Sequence, residues 1–330
     1  MASSTKRSKE KRLEDLNENL LKMGLRGYWM EMPPRKEEEP SLLKWNDIYP
    51  LLMEAGEVVT IGPEVERRNL GGYQVVMPGE TALAHRHSQS AMRFVMQGTG
   101  EASTTTNGEQ EFMRPGDLVV QPSWGWHDHT NPGTEPVIWM DILDLQMIQL
   151  LGPRLREYWT EGNAQPVTYA QGYSGRRYGN LRPPGAAPTT DPAPMAYTWV
   201  DTYAALLESA KYEEADEYDG FVLEYMNPAT GGPVVPTTTA KIQMLRPGEE
   251  TGMHRHMGHF RYSVVQGQGE LVVDQIDSQT IEWGPKDSFT LPSWRWHKLR
   301  NVSKTEPAIL FSVSDVAAYK AFGFYREERR

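Results

Sequence analysis

PGETALAHRHSQSAMRFVMQGTG, residues 78–100, returns 169 positions later as PGEETGMHRHMGHFRYSVVQGQG, residues 247–269. Pro-Gly-Glu, His-Arg-His and a Gln-Gly-x-Gly turn all keep that spacing. A second block, PSWGWH at 122–127, recurs as PSWRWH at 292–297, now 170 positions on, and Asp117 recurs as Asp287 at the same spacing. One inserted residue accounts for the change of offset. Chance does not hold so many motifs in order over such a distance, so the chain is a tandem duplication of one module.

The module is β-rich. From about Val58 onward, short runs of Val, Ile, Phe, Met and Tyr alternate with Pro-Gly, Asn-Gly and Gly-x-Gly turns at intervals of roughly 8 to 12 residues, the pattern of a sandwich or barrel. The expected fold is therefore all-β, with two barrels in tandem. Around them, Leu13, Leu16, Leu20 and Leu21 repeat at helical spacing before Gly24 and predict a helix over 10–23. A polar loop follows at 32–40 (MPPRKEEEP), then a helix over 42–55. The Pro/Ala-rich stretch 182–194 (RPPGAAPTTDPAP) reads as an extended linker, with a short helix over 203–212 before the β pattern resumes at Phe221. The expected division is a helical arm (1–57), a first module (58–145), a linker with short helices (146–220), and a second module with a tail (221–330).

Composition narrows the chemistry. The chain has 330 residues, 38% hydrophobic and 24% charged, with a net charge of −10. That balance suits a globular protein and argues against a surface that tracks nucleic-acid phosphates. No run of 18 apolar residues and no signal-peptide pattern occurs, so a cytoplasmic protein outside the membrane is expected. The basic cluster Lys6, Arg7, Lys9, Lys11 and Arg12 is interleaved with Glu10, Glu14 and Asp15 and reads as a solvated helix start. Cysteine is absent, which excludes disulfides, thiolate metal sites and cysteine nucleophiles together. Any metal must use imidazole and oxygen ligands.

All eight histidines lie within the two repeated blocks or, for His129, two residues beyond one. His85 and His87 sit two residues apart between β runs, which puts both imidazoles on one face of a strand, and His127 follows about 40 residues later at the end of another apolar run. The second copy repeats the set as His254, His256 and His297. Three imidazoles converging inside a barrel make a facial nitrogen site with coordination positions left open.

These blocks resemble the cupin superfamily, whose motifs run G-x5-H-x-H-x3–4-E-x6-G and G-x5-P-x-G-x2-H-x3-N. Here they read GETALAHRHSQSAMRFVMQG at 79–98 and GDLVVQPSWGWHDHTN at 116–131. Where many cupins place a glutamate ligand, this chain has Ala91, Met92 and Arg93. The site therefore keeps the metal's full charge and suits an anionic chelating substrate. HRHSQSAMRF at 85–94, WGWHDHTNPGTEPVIWMD at 124–141 and LEYMNPATGGPVVPTTTAKIQMLRPGEETGMHRH at 223–256 narrow the resemblance to the bicupin gentisate/salicylate 1,2-dioxygenases, and it extends over nearly the whole chain. That resemblance implies one Fe(II) in the first copy, O2 and an aromatic ortho-hydroxy carboxylic acid as reactants, ring cleavage between the carboxyl- and hydroxyl-bearing carbons, and a homo-oligomer.

Carried over by position, the resemblance makes His85, His87 and His127 the iron ligands and Arg93 the clamp on the substrate carboxylate, a task that suits a planar guanidinium. His129 and Asp141 match an outer pair that orients substrate or moves protons. Gly72 and Gln74 match pocket-lining positions, and Arg67 (or Arg68) a further basic contact. Leu70 stands where the family commonly has tryptophan, which reshapes the pocket and opens it to substituted salicylates such as 5-nitrosalicylate, or to 1-hydroxy-2-naphthoate, alongside gentisate. A manganese bicupin of the oxalate-decarboxylase kind would need the missing glutamate, and non-catalytic storage bicupins have usually lost the histidines kept here. In the second copy Arg93 corresponds to Tyr262, His129 to Leu299 and Asp141 to Phe311, so catalysis is expected in the first copy alone. His259, which has no counterpart, is expected at the rim.

Overall fold

Alternate residues of the strand Ala91–Gln97 have different destinations. Met92, Phe94 and Met96 point out of their barrel into a core shared with the second one, where Phe94 stacks on Phe311 with ring centroids 3.9 Å apart. Arg93 and Val95 point inward, Val95 joining Val76, Val119, Val137 and Trp139 in the barrel interior. A strand buried on both faces must carry apolar residues at nearly every position, and this one does, except at Arg93 and the half-buried terminal Gln97.

The computed structural model describes residues 39–58, 68–70, 72–152, 154–178, 195–274 and 278–330, together with Lys11, Glu14 and Glu18. Those three are helical, as expected of 10–23; the other residues of that span, Arg67 and the 182–194 stretch lie outside the described residues.

Each barrel is built from two antiparallel sheets. In the first, a six-stranded sheet (Met195–Tyr197, Leu118–Gln121, Ala91–Gln97, Val137–Leu143, Tyr73–Val76, Arg68–Leu70) faces a five-stranded one (Arg156–Tyr158, Thr81–His87, His127–Thr130, Ser103–Thr106, Glu109–Phe112). In the second, the corresponding sheets run Ser41–Leu43, Ser288–Leu291, Phe260–Gln266, Ala308–Ser314, Thr239–Leu245, Phe221–Glu224 and Gln279–Trp283, Gly269–Asp274, Trp296–Asn301, His254–His256, Glu327–Arg329. The two six-stranded sheets share one apolar core, in which Tyr73, Val75, Met92 and Met140 meet Ile242, Met244, Ile309 and Phe311.

The barrels exchange edge strands. Ser41–Leu43 pairs with Ser288–Leu291 of the second barrel, whereas Met195–Tyr197 pairs with Leu118–Val120 of the first. Each exchanged strand leads into a 14-residue helix, Trp45–Val58 or Trp199–Tyr212. The repeated aspartates anchor these helices, Trp45 N donating to Asp287 Oδ1 at 2.8 Å and Trp199 N to Asp117 Oδ1 at 2.7 Å. The expected helix over 42–55 thus starts later, because the pairing of Leu42 with Phe289 takes it into a strand. The helix expected over 203–212 starts earlier, at Trp199, with Thr198 capping it through a bond from Asp201 N.

Segment 154–178 wraps the outer edge of the first barrel through buried acids. Glu109 accepts from Ser174 N at 3.0 Å, and Glu111, two residues on and on the same face, accepts from Gly172 N at 2.8 Å. Burial, helped by the neighbouring Glu109 and opposed by the bond from Gly172, pushes the Glu111 carboxyl up to about 7. A carboxyl raised on folding makes the protein more stable at low pH, because between about 4.5 and 7 the unfolded chain gives up its proton while the folded one keeps it. Glu111→Gln is therefore expected to be more stable than the parent at pH 8 by about 1 kcal/mol and to unfold at a higher temperature there, with the difference fading at pH 4. Thermal melts at the two pH values check this; equal differences at both would remove Glu111 as the cause.

Candidate active site

The strand Thr81–His87 carries two of the first triad's imidazoles. A register shift after Ala82 brings His85 directly opposite His127 on the neighbouring strand. His127 follows a tight turn in which Trp124 takes the left-handed conformation, with φ of 60°. That turn is pinned to the ligand strand by a bond from Trp124 N to His87 O of 2.9 Å. The second copy repeats each device: Trp294 has φ of 66° and its N donates to His256 O at 2.9 Å. The shared Pro-Ser-Trp-x-Trp-His motif therefore delivers the third histidine to the pair.

The candidate ligand atoms of His85, His87 and His127 all lie within 4.8 Å of one another, and those of His254, His256 and His297 do likewise. Ring centroids in the first triad are separated by 5.6, 4.1 and 4.9 Å, and in the second by 5.5, 4.2 and 5.0 Å. Nδ1 of His85, His87 and His127 pairs with the carbonyls of Leu83, Gln89 and Gly125 at 2.7, 2.9 and 3.0 Å. Each Nδ1 thus carries the proton, which leaves the Nε2 lone pair for a ligand. Burial holds His127 well below the ordinary imidazole range, with His85, Arg93, His87 and His129 adding to the effect, so its ring is neutral at pH 7. Its buried Nε2 has no hydrogen-bond partner. A buried neutral three-nitrogen cluster of this shape fits a divalent metal ion, and no carboxylate belongs to either cluster among the described residues.

Around this triad the interior of the first barrel is polar in a way apolar packing does not require. Arg93 is fully buried, donates from Nη2 to Gln121 Oε1 at 2.7 Å, and stands directly across from Asp141, with Nε 3.9 Å from Oδ1. Gln74 is fully buried and neither amide atom has a partner; the same holds for Gln121 Nε2, Trp139 Nε1 and Thr106 Oγ1. Gln74 faces Trp139 across the sheet, and Thr106 faces His127. Such a concentration of unsatisfied buried groups is rare in a folded interior and marks where a ligand's polar atoms belong. The His129 ring lies 5.8 Å from His127 and 5.1 Å from Trp139. Gly72 accepts from Asp141 N at 2.8 Å, with φ of 87°. A Cβ there would run into the guanidinium of Arg261, which reaches over from the second barrel.

The structure thus brings His85, His87, His127, His129, Arg93, Asp141, Gln74 and Gly72 into or against one barrel interior. Gln121, Trp139 and Thr106 join them without having been singled out in the sequence. Their signal was present, since each is polar or amphipathic at an inward position of an alternating strand.

The second barrel keeps its triad and loses this shell. Tyr262 stands in place of Arg93 and Leu299 in place of His129, both as expected. The expected match of Asp141 to Phe311 is corrected: Tyr262 pairs with Ser312, whereas Phe311 points outward into the shared core. A one-residue-longer turn, 302–306 against 132–135, shifts the numbering. Gln243, the counterpart of Gln74, spends its amide on Asp219 O at 2.6 Å. Burial lowers His256 to about 3, with His254 and Lys241 contributing. The cavity beside this triad measures about 60 Å³ and is lined by His254, His256, Lys241, Tyr262 and Glu327 among others. That is well below the roughly 150 Å³ of a cavity that accepts benzene. His259 is half exposed and pairs with Asp315 at 3.1 Å, outside the triad as expected.

Comparison with known proteins agrees with this geometry. The cupin-domain family model matches residues 72–143 and 241–314. A 5-aminosalicylate 1,2-dioxygenase from a Comamonas species is 32% identical over 96% of this chain and 90% of its own length. A gentisate 1,2-dioxygenase from Aquipseudomonas alcaligenes is 35% identical over 90% of this chain and 88% of its own. The crystal structure of a salicylate 1,2-dioxygenase from Pseudoaminobacter salicylatoxidans with gentisate superposes with a TM-score of 0.84 at 30% identity, covering 100% of this chain and 96% of that one. With two cupin barrels, a histidine triad in each and relatives that match along nearly the full length, the chain belongs to the bicupin gentisate/salicylate 1,2-dioxygenase family and is a ring-cleaving dioxygenase of that type.

Proposed function

We propose that the first barrel binds Fe(II) through His85, His87 and His127 and opens a salicylate-type ring, such as gentisate or a 5-substituted salicylate, between its carboxyl- and hydroxyl-bearing carbons. The observation that carries this reading is the contrast between the barrels: equal triads, but, among the described residues, a fully buried arginine and unsatisfied amides only around the first. Iron, when bound, supplies the electronic route between an electron-rich ring and O2 that neither takes unaided.

The chain's own residues do the rest. Three neutral imidazoles leave the metal's charge uncompensated, which favours a substrate offering a carboxylate and an ionised ortho-hydroxyl together. Arg93, held by Gln121 and Asp141, receives the carboxylate in a fixed orientation, so the ring is placed before reaction. His129 is positioned to take the proton from the ortho-hydroxyl oxygen, and Gln74 and Trp139 offer hydrogen bonds to the substrate's remaining polar atoms. The apolar wall of Val76, Val95, Val119 and Val137 keeps water from the ring. The second barrel, too small at its triad for a benzene ring, holds metal without turnover.

The test is anaerobic reconstitution with Fe(II) or Mn(II), followed by oxygen uptake with salicylate, gentisate, 5-nitrosalicylate, 5-aminosalicylate and 1-hydroxy-2-naphthoate. One O2 consumed per ring opened with iron is expected for at least one monocyclic substrate. Turnover of the naphthoate alone, or with manganese alone, would sink the reading.

A further inference from the structure

Each triad is flanked by an edge strand whose outward contacts are the same in both barrels and whose inward residue is opposite in charge. In the first barrel Arg156–Tyr158 pairs with the ligand strand, Arg156 opposite His87 and Tyr158 opposite His85. In the second Glu327–Arg329 does so, Glu327 opposite His256 and Arg329 opposite His254. The middle residues face outward identically. Glu157 accepts both Nε and Nη2 of Arg86 at 2.8 and 2.6 Å, with Arg86 lying on Trp124 and Trp126. Glu328 binds Arg255 in the same manner, with Arg255 on Trp294 and Trp296.

Strand alternation then turns the flanking residues to the triad side. Glu327 does line the cavity beside His254 and His256. Arg156 occupies the same place next to His87: its Nε and Nη2 atoms are buried, and its guanidinium lies over the Tyr158 ring with 5.4 Å between guanidinium carbon and ring centroid. Directly opposed residues in an antiparallel pair have Cβ atoms about 5 Å apart. Arg156 is thus a neighbour of a metal-ligating position, on a different sheet from Arg93.

We propose that Arg156 is a second cationic contact in the first barrel and sets its substrate preference: a salicylate whose ring substituent accepts hydrogen bonds or carries negative charge, such as nitro, hydroxyl or a second carboxylate, over one bearing an amino group. The inference rests on the reading of the first barrel as the salicylate site. A guanidinium has donors only, so it favours an acceptor and repels a second donor at the same place. Arginine also stays charged where its head is partly buried, as here, so the contact is cationic throughout the working pH range. The second barrel carries a carboxylate at the equivalent position, paired with Arg329 at 2.6 Å, and is closed to such anions on size.

The experiment measures binding of salicylate, 5-nitrosalicylate and 5-aminosalicylate to the Zn(II)-loaded, redox-silent enzyme by titration calorimetry, with KM from oxygen uptake by the Fe(II) form. Variants are Arg156→Gln, Arg156→Lys and Arg156→Glu, the last copying the second barrel's residue. The parent is expected to bind the nitro compound at least tenfold more tightly than the amino compound. That ratio should collapse toward one in Arg156→Gln, recover in part in Arg156→Lys and invert in Arg156→Glu. A ratio unchanged in all three variants, or an equal weakening of every ligand, would overturn the proposal. Failure of the parent to bind any salicylate would overturn the underlying reading instead, and the two failures are told apart by the parent's titration alone.

Discussion

His127→Ala enzyme is expected to emerge with the iron of the first barrel lost and turnover reduced at least about 10³-fold, while His297→Ala loses metal from the second barrel only and keeps most of its turnover. The size of the first effect follows from what a metal centre supplies: several kcal/mol of barrier lowering, with each 1.4 kcal/mol or so worth a factor of ten. His127 is the ligand on the strand opposite the other two, so its loss leaves two imidazoles on one strand. It is also fully buried, and alanine leaves a hole beside His85 and His87 that an incoming water can occupy. The asymmetry follows from the shells. Both triads have nearly superposable ring geometry, but only the first is surrounded by Arg93, His129 and Gln74. Metal content and oxygen uptake of the two variants, measured side by side, give the answer. Turnover lost only in His297→Ala would move catalysis to the second barrel.

Much of this arrangement was legible because the repeat carries it. The triads, the left-handed tryptophan turns and the aspartates all sit in motifs that recur at spacings of 169 or 170, and a metal site needs only that such residues return to one face of a sheet. The exchanged strand-helix units were equally open to reading and were overlooked. Trp45, Asp47, Tyr49, Leu52 and Glu54 recur as Trp199, Asp201, Tyr203, Leu206 and Glu208, but at a spacing of 154 rather than 169. No local pattern says that each unit joins the other barrel, since that follows from non-local pairing of Leu42 with Phe289 and Ala196 with Val119. The match of Asp141 to Phe311 failed because a turn longer by one residue flips every later side chain to the other face of the strand. Arg156 escaped notice because its place depends on which residue lies opposite, and a single strand's sequence does not carry that.

Arg93→Met is expected to lower kcat/KM by roughly 10²- to 10⁴-fold and to destabilise the fold, and the two losses can be separated. The guanidinium is fully buried beside a buried Asp141, with Gln121 as its hydrogen-bond acceptor. Removing one member of such a pair leaves an uncompensated buried charge, which typically costs about 3–5 kcal/mol. Part of any activity loss in the single variant would therefore reflect unfolding rather than chemistry. Replacing both members, as Arg93→Met with Asp141→Leu, removes the charge on each side; swaps of buried pairs for apolar residues are often neutral or stabilising. The double variant should therefore melt near the parent, yet it should still fail to hold the substrate carboxylate, so kcat/KM stays low at full folding. A clamp that also orients the ring should depress kcat as well as raise KM, because a misplaced substrate reacts slowly even when bound. Parent-like kcat/KM in the refolded double variant would mean that the pair serves the fold alone. In that case the charge balancing the substrate carboxylate would have to come from another cation of the first barrel, and the Arg156 variants would then lose affinity for every salicylate alike.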